Sequence, residues 1–180
     1  MSVFSNHDNG LVAARSLTLV GLRRVSIGPP IMVSVFGRHG FLSSFISAVA
    51  AKAGTILPGR VLAQPAAASG KTLRADPQRL AQALVNLLQN AAEHAKGDGP
   101  VSLRVGAGPT SWCFEVADDG GGLPPGDEQV VFEPFSTGSS RGGTGLGLAI
   151  VRGIARAHGG EAGAVNRPGH GVTFWVRIPR

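Results

Sequence analysis

The chain has 180 residues, 43% of them hydrophobic, which is enough for one ordinary domain with a single core and a leader. Its single cysteine, Cys113, excludes an internal disulfide and a cysteine-rich metal site. The net charge of +6 is uneven: residues 1–80 carry nine Lys/Arg against two acidic residues (+7), and residues 81–180 carry eight against nine (−1). The folded part is therefore near neutral, which argues against nucleic-acid binding.

The longest apolar run, Phe41–Ala51, is too short to cross a membrane, and charged or ionisable residues bracket it. The polar residues 6–9 near the start do not fit a secretory signal. We therefore predict no membrane span in this chain and a cytoplasmic location.

Residues 1–40 lack steady helical or alternating periodicity, which predicts a loosely ordered leader before a folded domain over 41–180. From Phe41 the apolar spacing predicts a helix that ends near Gly54 or Pro58. Residues 60–63 and 71–75 flank a Pro/Ala/Ser/Gly turn and are predicted to pair as a hairpin. Residues 69–72 end like a P-loop, but the preceding glycine and the following helix are missing.

Asp76 followed by Pro77 predicts a helix start, with the carboxylate as N-cap and proline in the first turn. The apolar stripe of this helix is Leu80, Leu84, Leu87, Leu88, Ala91 and Ala95.

A polar ridge rises beside that stripe, because Gln82, Asn86, Asn90 and His94 step by four. Asparagine is a poor helix former, so its repetition here calls for a reason. Two interpretations stand: a solvated face, or amide oxygens that share a Mg²⁺ ion with phosphates.

Two strands are predicted over residues 101–105 and 111–116, and the second runs into the segment 117–123, Ala-Asp-Asp-Gly-Gly-Gly-Leu. Asp118 in this segment fits three interpretations: a calcium-loop fragment, a plain turn, or a buried acceptor for a ligand's amino group. In the third, Gly120 and Gly122 let a flat ring approach the backbone.

Residues 136–141 are small and polar, which predicts a mobile lid, and the GxSxG match within 138–142 lacks the strand that a hydrolase elbow needs. Residues 142–150 then pack glycines into a polar entrance that turns abruptly apolar. This stretch predicts either a tight connection or a phosphate-binding loop that opens a helix.

The second amphipathic helix carries Leu146, Ile150, Ile154 and Ala157 and ends with His158 as a C-terminal cap. Two closing strands are predicted over residues 161–166 and 171–178. The expected fold is an α/β (α+β) two-layer sandwich, an open mixed, mostly antiparallel sheet with about three helices on one face and a flexible lid.

Four boxes in this order resemble those of the catalytic ATP-binding domain of sensor histidine kinases, in the superfamily of gyrase, chaperone, histidine kinase and mismatch-repair ATPases. They are an asparagine box at 84–91, a DxGxG box at 118–122, a phenylalanine box at 132–135 and a second glycine box at 143–148. The resemblance extends over residues 45–180.

The resemblance implies that the domain binds ATP with Mg²⁺, the metal ligands being Asn86 and Asn90. Asp118 would read the adenine amino group. The other nucleotide-binding residues that it implies are Asn90, His94, Gly120, Gly122, Thr137, Gly143, Thr144, Gly145, Leu146 and Gly147, and the catalytic ones are Asn86, Asn90 and Arg141. Phe132 and Phe135 would anchor the lid and contact a phosphoacceptor helix.

The chain departs from the family in three ways. ATP-hydrolysing relatives have a glutamate where this chain has Asn86, so slow hydrolysis and transfer of the γ-phosphoryl group to a histidine are expected. Glu93 stands where the family commonly has lysine. No phosphoacceptor is evident, since neither His7 nor His39 lies in a long helix.

The resemblance therefore implies a histidine kinase domain whose phosphoacceptor hairpin lies in another chain or a missing segment, and which acts indirectly on a response regulator. Full-length relatives are often membrane-anchored. Two alternatives stay open: an ATP-binding regulatory module without phosphotransfer, and an anti-sigma-like serine kinase.

Overall fold

The computed structural model describes residues 33–36, 40–54, 61–64, 72–95, 99–136, 144–167 and 169–180. The helices in these ranges are α1 (Gly40–Gly54), α2 (Pro77–His94) and α3 (Gly147–Ala157), with a short 3₁₀ helix at Val130–Phe132. The strands are β1 (Val33–Phe36), β2 (Val61–Gln64), β3 (Thr72–Ala75), β4 (Val101–Ala107), β5 (Ser111–Ala117), β6 (Glu161–Asn166) and β7 (Val172–Pro179).

Five of the strands form one sheet in the order β2-β4-β5-β7-β6. Strand β2 runs parallel to β4, and the other neighbours in this sheet are antiparallel. The predicted open, mixed and mostly antiparallel sheet is confirmed.

The core lies on one face of this sheet, because side chains alternate between the two faces of a strand. Register aligns Leu103 with Val116 and Val116 with Phe174 across β4, β5 and β7, and all three side chains are buried. Buried residues of the three helices belong to the same cluster. The predicted two-layer sandwich is therefore confirmed.

Helix α2 begins as its sequence predicts. The Asp76 carboxylate accepts the backbone N–H groups of Gln78 (2.9 Å) and Arg79 (3.1 Å), and Pro77 opens the first turn. The predicted leucine stripe is buried, and the helix ends at His94.

We expect Asp76→Ala to lower the free energy of unfolding by about 1 kcal/mol, because two N–H groups of the first turn lose their acceptor. Urea unfolding measures the change. Gln78→Ala, an exposed substitution in the same turn, is the matched control and is expected to leave stability nearly unchanged. Equal unfolding midpoints for Asp76→Ala and the unsubstituted chain would contradict the capping role.

The predicted hairpin of residues 60–63 with 71–75 is wrong. Strand β2 instead pairs in parallel with β4, and β3 pairs antiparallel with β1 in a separate two-stranded sheet. Parallel pairing needs a crossover connection, and here that crossover contains β3 and α2. Strand β1, at Val33–Phe36, was not predicted, and it lies in the segment predicted as a leader.

Helix α3 is confirmed, but its predicted apolar stripe is only partly right. Val151, Ile154 and Ala155 are buried, whereas Ile150 is 38% exposed and Ala157 is also exposed. The helix packs against α2, β6, β7 and the 3₁₀ helix, so its buried face is turned relative to the prediction.

His158 caps the C-terminus of α3 as predicted and also links two helices. Its Nε2 accepts the backbone N–H of Asp76 at 2.9 Å, and its Nδ1 lies 2.8 Å from the Ile154 carbonyl oxygen. Because Nε2 is an acceptor, Nδ1 carries the proton and donates. The imidazole thus ties the end of α3 to the start of α2.

Candidate functional site

Asp118 follows the last residue of β5 and is 2% exposed. Its Oδ1 atom accepts the backbone N–H groups of Gly120 (2.8 Å) and Val172 (3.4 Å). Its Oδ2 atom is buried and has no hydrogen-bond partner among the described residues. A buried oxygen of this kind is costly without a donor, so the site is suited to a ligand that supplies one.

The charge of Asp118 is also disfavoured by its surroundings. Burial raises the pKa of this carboxyl group above its ordinary value, while the N–H groups of Gly120 and Val172 and the charges of Arg167 and His94 lower it in part. The neighbouring Asp119 likewise has a buried Oδ1 without a partner in the described part of the chain.

Gly120 brings the segment after β5 against the end of α2. A Cβ atom at this position would overlap the His94 carbonyl oxygen, so only glycine permits the approach. The two backbones meet where the polar ridge of α2 ends, and Asp118 therefore lies close to that ridge.

Asn86 connects the ridge to the glycine loop. Its Nδ2 donates to the Gly147 carbonyl oxygen at 3.3 Å, which holds the start of α3 against the middle of α2. Asn86 and Asn90 are both half-buried and lie one turn apart, whereas Gln82 and Glu93 are exposed.

The glycine loop enters α3 without a side-chain cap at Leu146. The first N–H groups of such a helix have no partner within it and favour an anion. Gly145 adopts a φ of 66°, and its carbonyl oxygen accepts the N–H of Phe135 at 2.9 Å. Thr144 is exposed beside it. The predicted site residues Thr137, Arg141 and Gly143 lie outside the described residues.

The two phenylalanines of the predicted lid anchor differ in environment. Phe132 is buried and meets Phe174 edge to face, with ring centroids 6.2 Å apart. Phe135 is 73% exposed at a φ of 63°, so its ring is not packed into the domain as an anchor would be.

Among the predicted site residues, the structure brings together Asn86 with Gly147, Asp118 with Gly120, and Gly120 with His94. Sequence reasoning missed Asn166 and Arg167, which bond the segment 118–123 from the turn before β7. Their only local signal is that they are polar residues directly before a Pro-Gly turn.

The described residues contain no group of three or more His, Cys, Asp and Glu side chains that could hold a metal ion. In the same ranges, none of the helices has the length and apolarity that a membrane crossing requires.

A family model described as histidine kinase-, DNA gyrase B-, and HSP90-like ATPase matches residues 75–180. The chain belongs to this ATPase family. Members of the family bind ATP, and the matched range contains the site described above.

Relatives and solved structures narrow the type of ATPase domain. The chain is 40% identical over 111 residues to the circadian input-output histidine kinase CikA of Synechococcus elongatus, covering 59% of this chain and 15% of that protein. It is 40% identical over 100 residues to sensor protein KdpD of Escherichia coli, covering 54% of this chain and 11% of that protein.

The catalytic domain of histidine kinase ThkA is similar with a TM-score of 0.69 and 27% identity, over 82% of this chain and 95% of that domain. Full-length ShkA in complex with AMPPNP is similar with a TM-score of 0.69 and 30% identity, over 86% of this chain and 32% of that protein. The chain thus contains a catalytic ATP-binding domain of the sensor histidine kinase type, and it spans a small fraction of its curated relatives.

Proposed function

We propose that this domain binds ATP with Mg²⁺ and transfers the γ-phosphoryl group to a histidine on a dimerisation hairpin. That hairpin lies in another chain or in a segment beyond this one. The observation that carries the proposal is the Asp118 carboxylate, which is 2% exposed and whose Oδ2 has no partner among the described residues.

The adenine end of the site rests on the two oxygens of Asp118. Oδ1 is held by the Gly120 and Val172 N–H groups, so Oδ2 is left to accept the exocyclic amino group of adenine. Gly120 and Gly122 keep the adjoining backbone free of side chains, and His94 offers a ring at the end of α2.

The phosphate end rests on α2 and the start of α3. Asn86 and Asn90 would hold Mg²⁺ through amide oxygens, which are neutral, hard ligands of the type that this ion accepts. The described residues contain no group of three or more His, Cys, Asp and Glu side chains that could hold a metal, so the remaining ligands would be phosphate oxygens and water. The ion, when bound, supplies charge neutralisation at the phosphates. Thr144, Gly145, Leu146 and Gly147 offer N–H groups to the same phosphates, with Thr137, Arg141 and Gly143 proposed to complete the set.

The chemistry of Asn86 favours transfer over hydrolysis. Its carboxamide cannot act as a general base toward water, and its Nδ2 is already engaged with the Gly147 carbonyl. A bound γ-phosphoryl group is therefore hydrolysed slowly and is transferred when a stronger nucleophile, such as a neutral imidazole of the acceptor hairpin, is present.

Three exposed apolar side chains suit that acceptor hairpin. Val130, Phe135 and Ile150 are 53%, 73% and 38% exposed, and the 3₁₀ helix that carries Val130 packs against α3. The Glu133–Arg152 ion pair, at 2.7 Å, joins the residue after the 3₁₀ helix to α3. Exposed apolar side chains on elements that pack together favour the docking of a partner helix.

The test mixes the full chain with γ-labelled ATP, Mg²⁺ and dimerisation hairpins from the surrounding reading frame and from KdpD and CikA. We expect an acid-labile, alkali-stable label on the hairpin histidine. The label should be lost when that histidine is replaced by alanine, and when Asp118→Asn is used in place of the unsubstituted chain.

The other results would assign a different role. ATP binding without label on any hairpin would favour a regulatory module, and an acid-stable label on a serine would favour a serine kinase. Absence of ATP binding would overturn the proposal. Onward transfer to a response regulator and a cytoplasmic location are parts of the same proposal.

A further inference from the structure

The turn between β6 and β7 lies against the segment Asp118–Leu123. It begins at Asn166, the last residue of β6. Within the turn, the Arg167 N–H donates to the Gly171 carbonyl oxygen (2.9 Å), and the His170 N–H donates to the Arg167 carbonyl oxygen (2.7 Å). The turn is thus closed by its own backbone. The side chains of Asn166 and Arg167 are left to act on the neighbouring segment.

The Asn166 carboxamide pairs with both backbone polar groups of Leu123. Its Oδ1 accepts the Leu123 N–H at 3.0 Å, and its Nδ2 donates to the Leu123 carbonyl oxygen at 2.8 Å. These two bonds fix the orientation of the amide, because the reverse orientation would set donor against donor and acceptor against acceptor. The side chain thus holds Leu123 as a neighbouring strand residue would.

Gly122 adapts the segment to this contact. Its φ is 80°, and a Cβ atom here would overlap Asn166 Oδ1. A residue with a side chain would be strained and would also push the segment away from Asn166.

The same turn and the first residue of β7 together fix the backbone of Asp118. The Arg167 Nη2 atom donates to the Asp118 carbonyl oxygen at 2.6 Å, and the Asp118 N–H donates to the Val172 carbonyl oxygen at 3.2 Å. Val172 N–H also reaches Asp118 Oδ1 at 3.4 Å. With its carbonyl, its N–H and one carboxylate oxygen held, Asp118 has little freedom to turn Oδ2 elsewhere.

We infer that Asn166 and Arg167 are positioning residues for nucleotide binding, which set the adenine-facing segment Asp118–Leu123 from behind. They act through Leu123 and Asp118. The inference rests on the proposed function. It adds that the preference for adenine depends on a turn that is distant along the chain, since Asn166 lies 43 positions after Leu123.

The test measures ADP and GDP affinities of the full chain by calorimetry, with unfolding in urea measured in parallel. We expect Asn166→Asp and Arg167→Ala each to weaken ADP about tenfold. GDP affinity and the effect of Mg²⁺ on ADP affinity should change little, so the preference for adenine falls. A role confined to stability would not alter the ratio of ADP to GDP affinity in folded protein.

The substitutions separate positioning from packing. Asn166→Asp keeps the size of the side chain but sets a carboxylate oxygen against the Leu123 carbonyl, so equal behaviour of Asp and Asn would mean packing alone. Val165→Ala, at an exposed neighbouring position of β6, is the matched control. Arg167 is exposed, so its truncation leaves the core intact. If the Asn166 variants do not fold, the nucleotide affinities of Arg167→Ala alone test the inference.

Unchanged ADP affinity and unchanged ADP-to-GDP ratio in Arg167→Ala and in the folded Asn166 variants would overturn the inference while the proposed function stands. If the unsubstituted chain binds no ADP, the proposed function fails and this inference fails with it. Arg167→Lys, which keeps a cationic donor, is expected to restore part of the lost preference.

Discussion

Replacing Asp118 by asparagine is expected to weaken ATP binding by about 100-fold or more. The two backbone N–H groups that now bond Oδ1 would keep the asparagine oxygen at that position. The amide nitrogen is then forced into the place of Oδ2, where under the proposed function it would meet the adenine amino group as donor against donor. Titration calorimetry with ATP measures the loss.

The same substitution is expected to raise the free energy of unfolding at neutral pH. Burial raises the pKa of Asp118 in the folded state, so the folded protein binds its proton more tightly than the unfolded chain does. This group therefore favours folding in acid, and the contribution is lost as pH rises through the raised folded pKa. The stability gain of Asp118→Asn should grow over that pH range and level off above it.

Glu115→Gln is the matched control, because Glu115 lies in β5 three residues before Asp118 and alternates with the buried residues of that strand, so its side chain lies on the other face of the sheet. It is expected to leave ATP affinity unchanged. Two results would contradict the assignment of Asp118: ATP binding of Asp118→Asn at the affinity of the unsubstituted chain, or a fall in stability with no loss of binding.

Local sequence patterns were sufficient to predict most elements of this fold. Asp76 and Pro77 define the start of α2 through contacts within one turn. The strand predicted over 111–116 is likewise a short continuous stretch, and it corresponds to β5. The wrong hairpin is an error of non-local pairing. The partner of β2 is β4, which follows only after β3 and α2, and nothing in the local pattern of residues 61–64 distinguishes that parallel partner from a nearby antiparallel one.

In the candidate site, too, local features could be predicted and contacts between distant segments could not. The boxes predicted Asp118, Asn86 and the glycine loop as site residues, because each box is a short continuous stretch. The contacts that join them, Asn86 to Gly147 and Asn166 to Leu123, link positions 61 and 43 residues apart. An asparagine before a turn has no local feature that marks it as a clamp, so Asn166 could be recognised only from the folded structure.

Asn90→Ala is expected to remove most of the Mg²⁺ dependence of ATP binding. With Mg²⁺ present, ATP affinity should fall about 10- to 100-fold toward the value measured in a chelator, because the proposed metal site loses one oxygen ligand. Affinity without metal should change little. Alanine is the best helix former, so α2 itself is not weakened by the substitution. Paired titrations with Mg²⁺ and with chelator measure both values.

Two comparisons make the result specific to the metal. Gln82→Ala removes an exposed amide from the same ridge two turns earlier and is expected to leave both affinities unchanged. Asn86→Ala should lower both affinities, because its Nδ2 also holds the start of α3 through Gly147. If the ATP affinity of Asn90→Ala still depends on Mg²⁺, the metal ligand is not on this ridge. If Asn86→Ala and Asn90→Ala lower ATP affinity equally, both with Mg²⁺ and with chelator, the two residues support the conformation of the glycine loop and do not bind the metal.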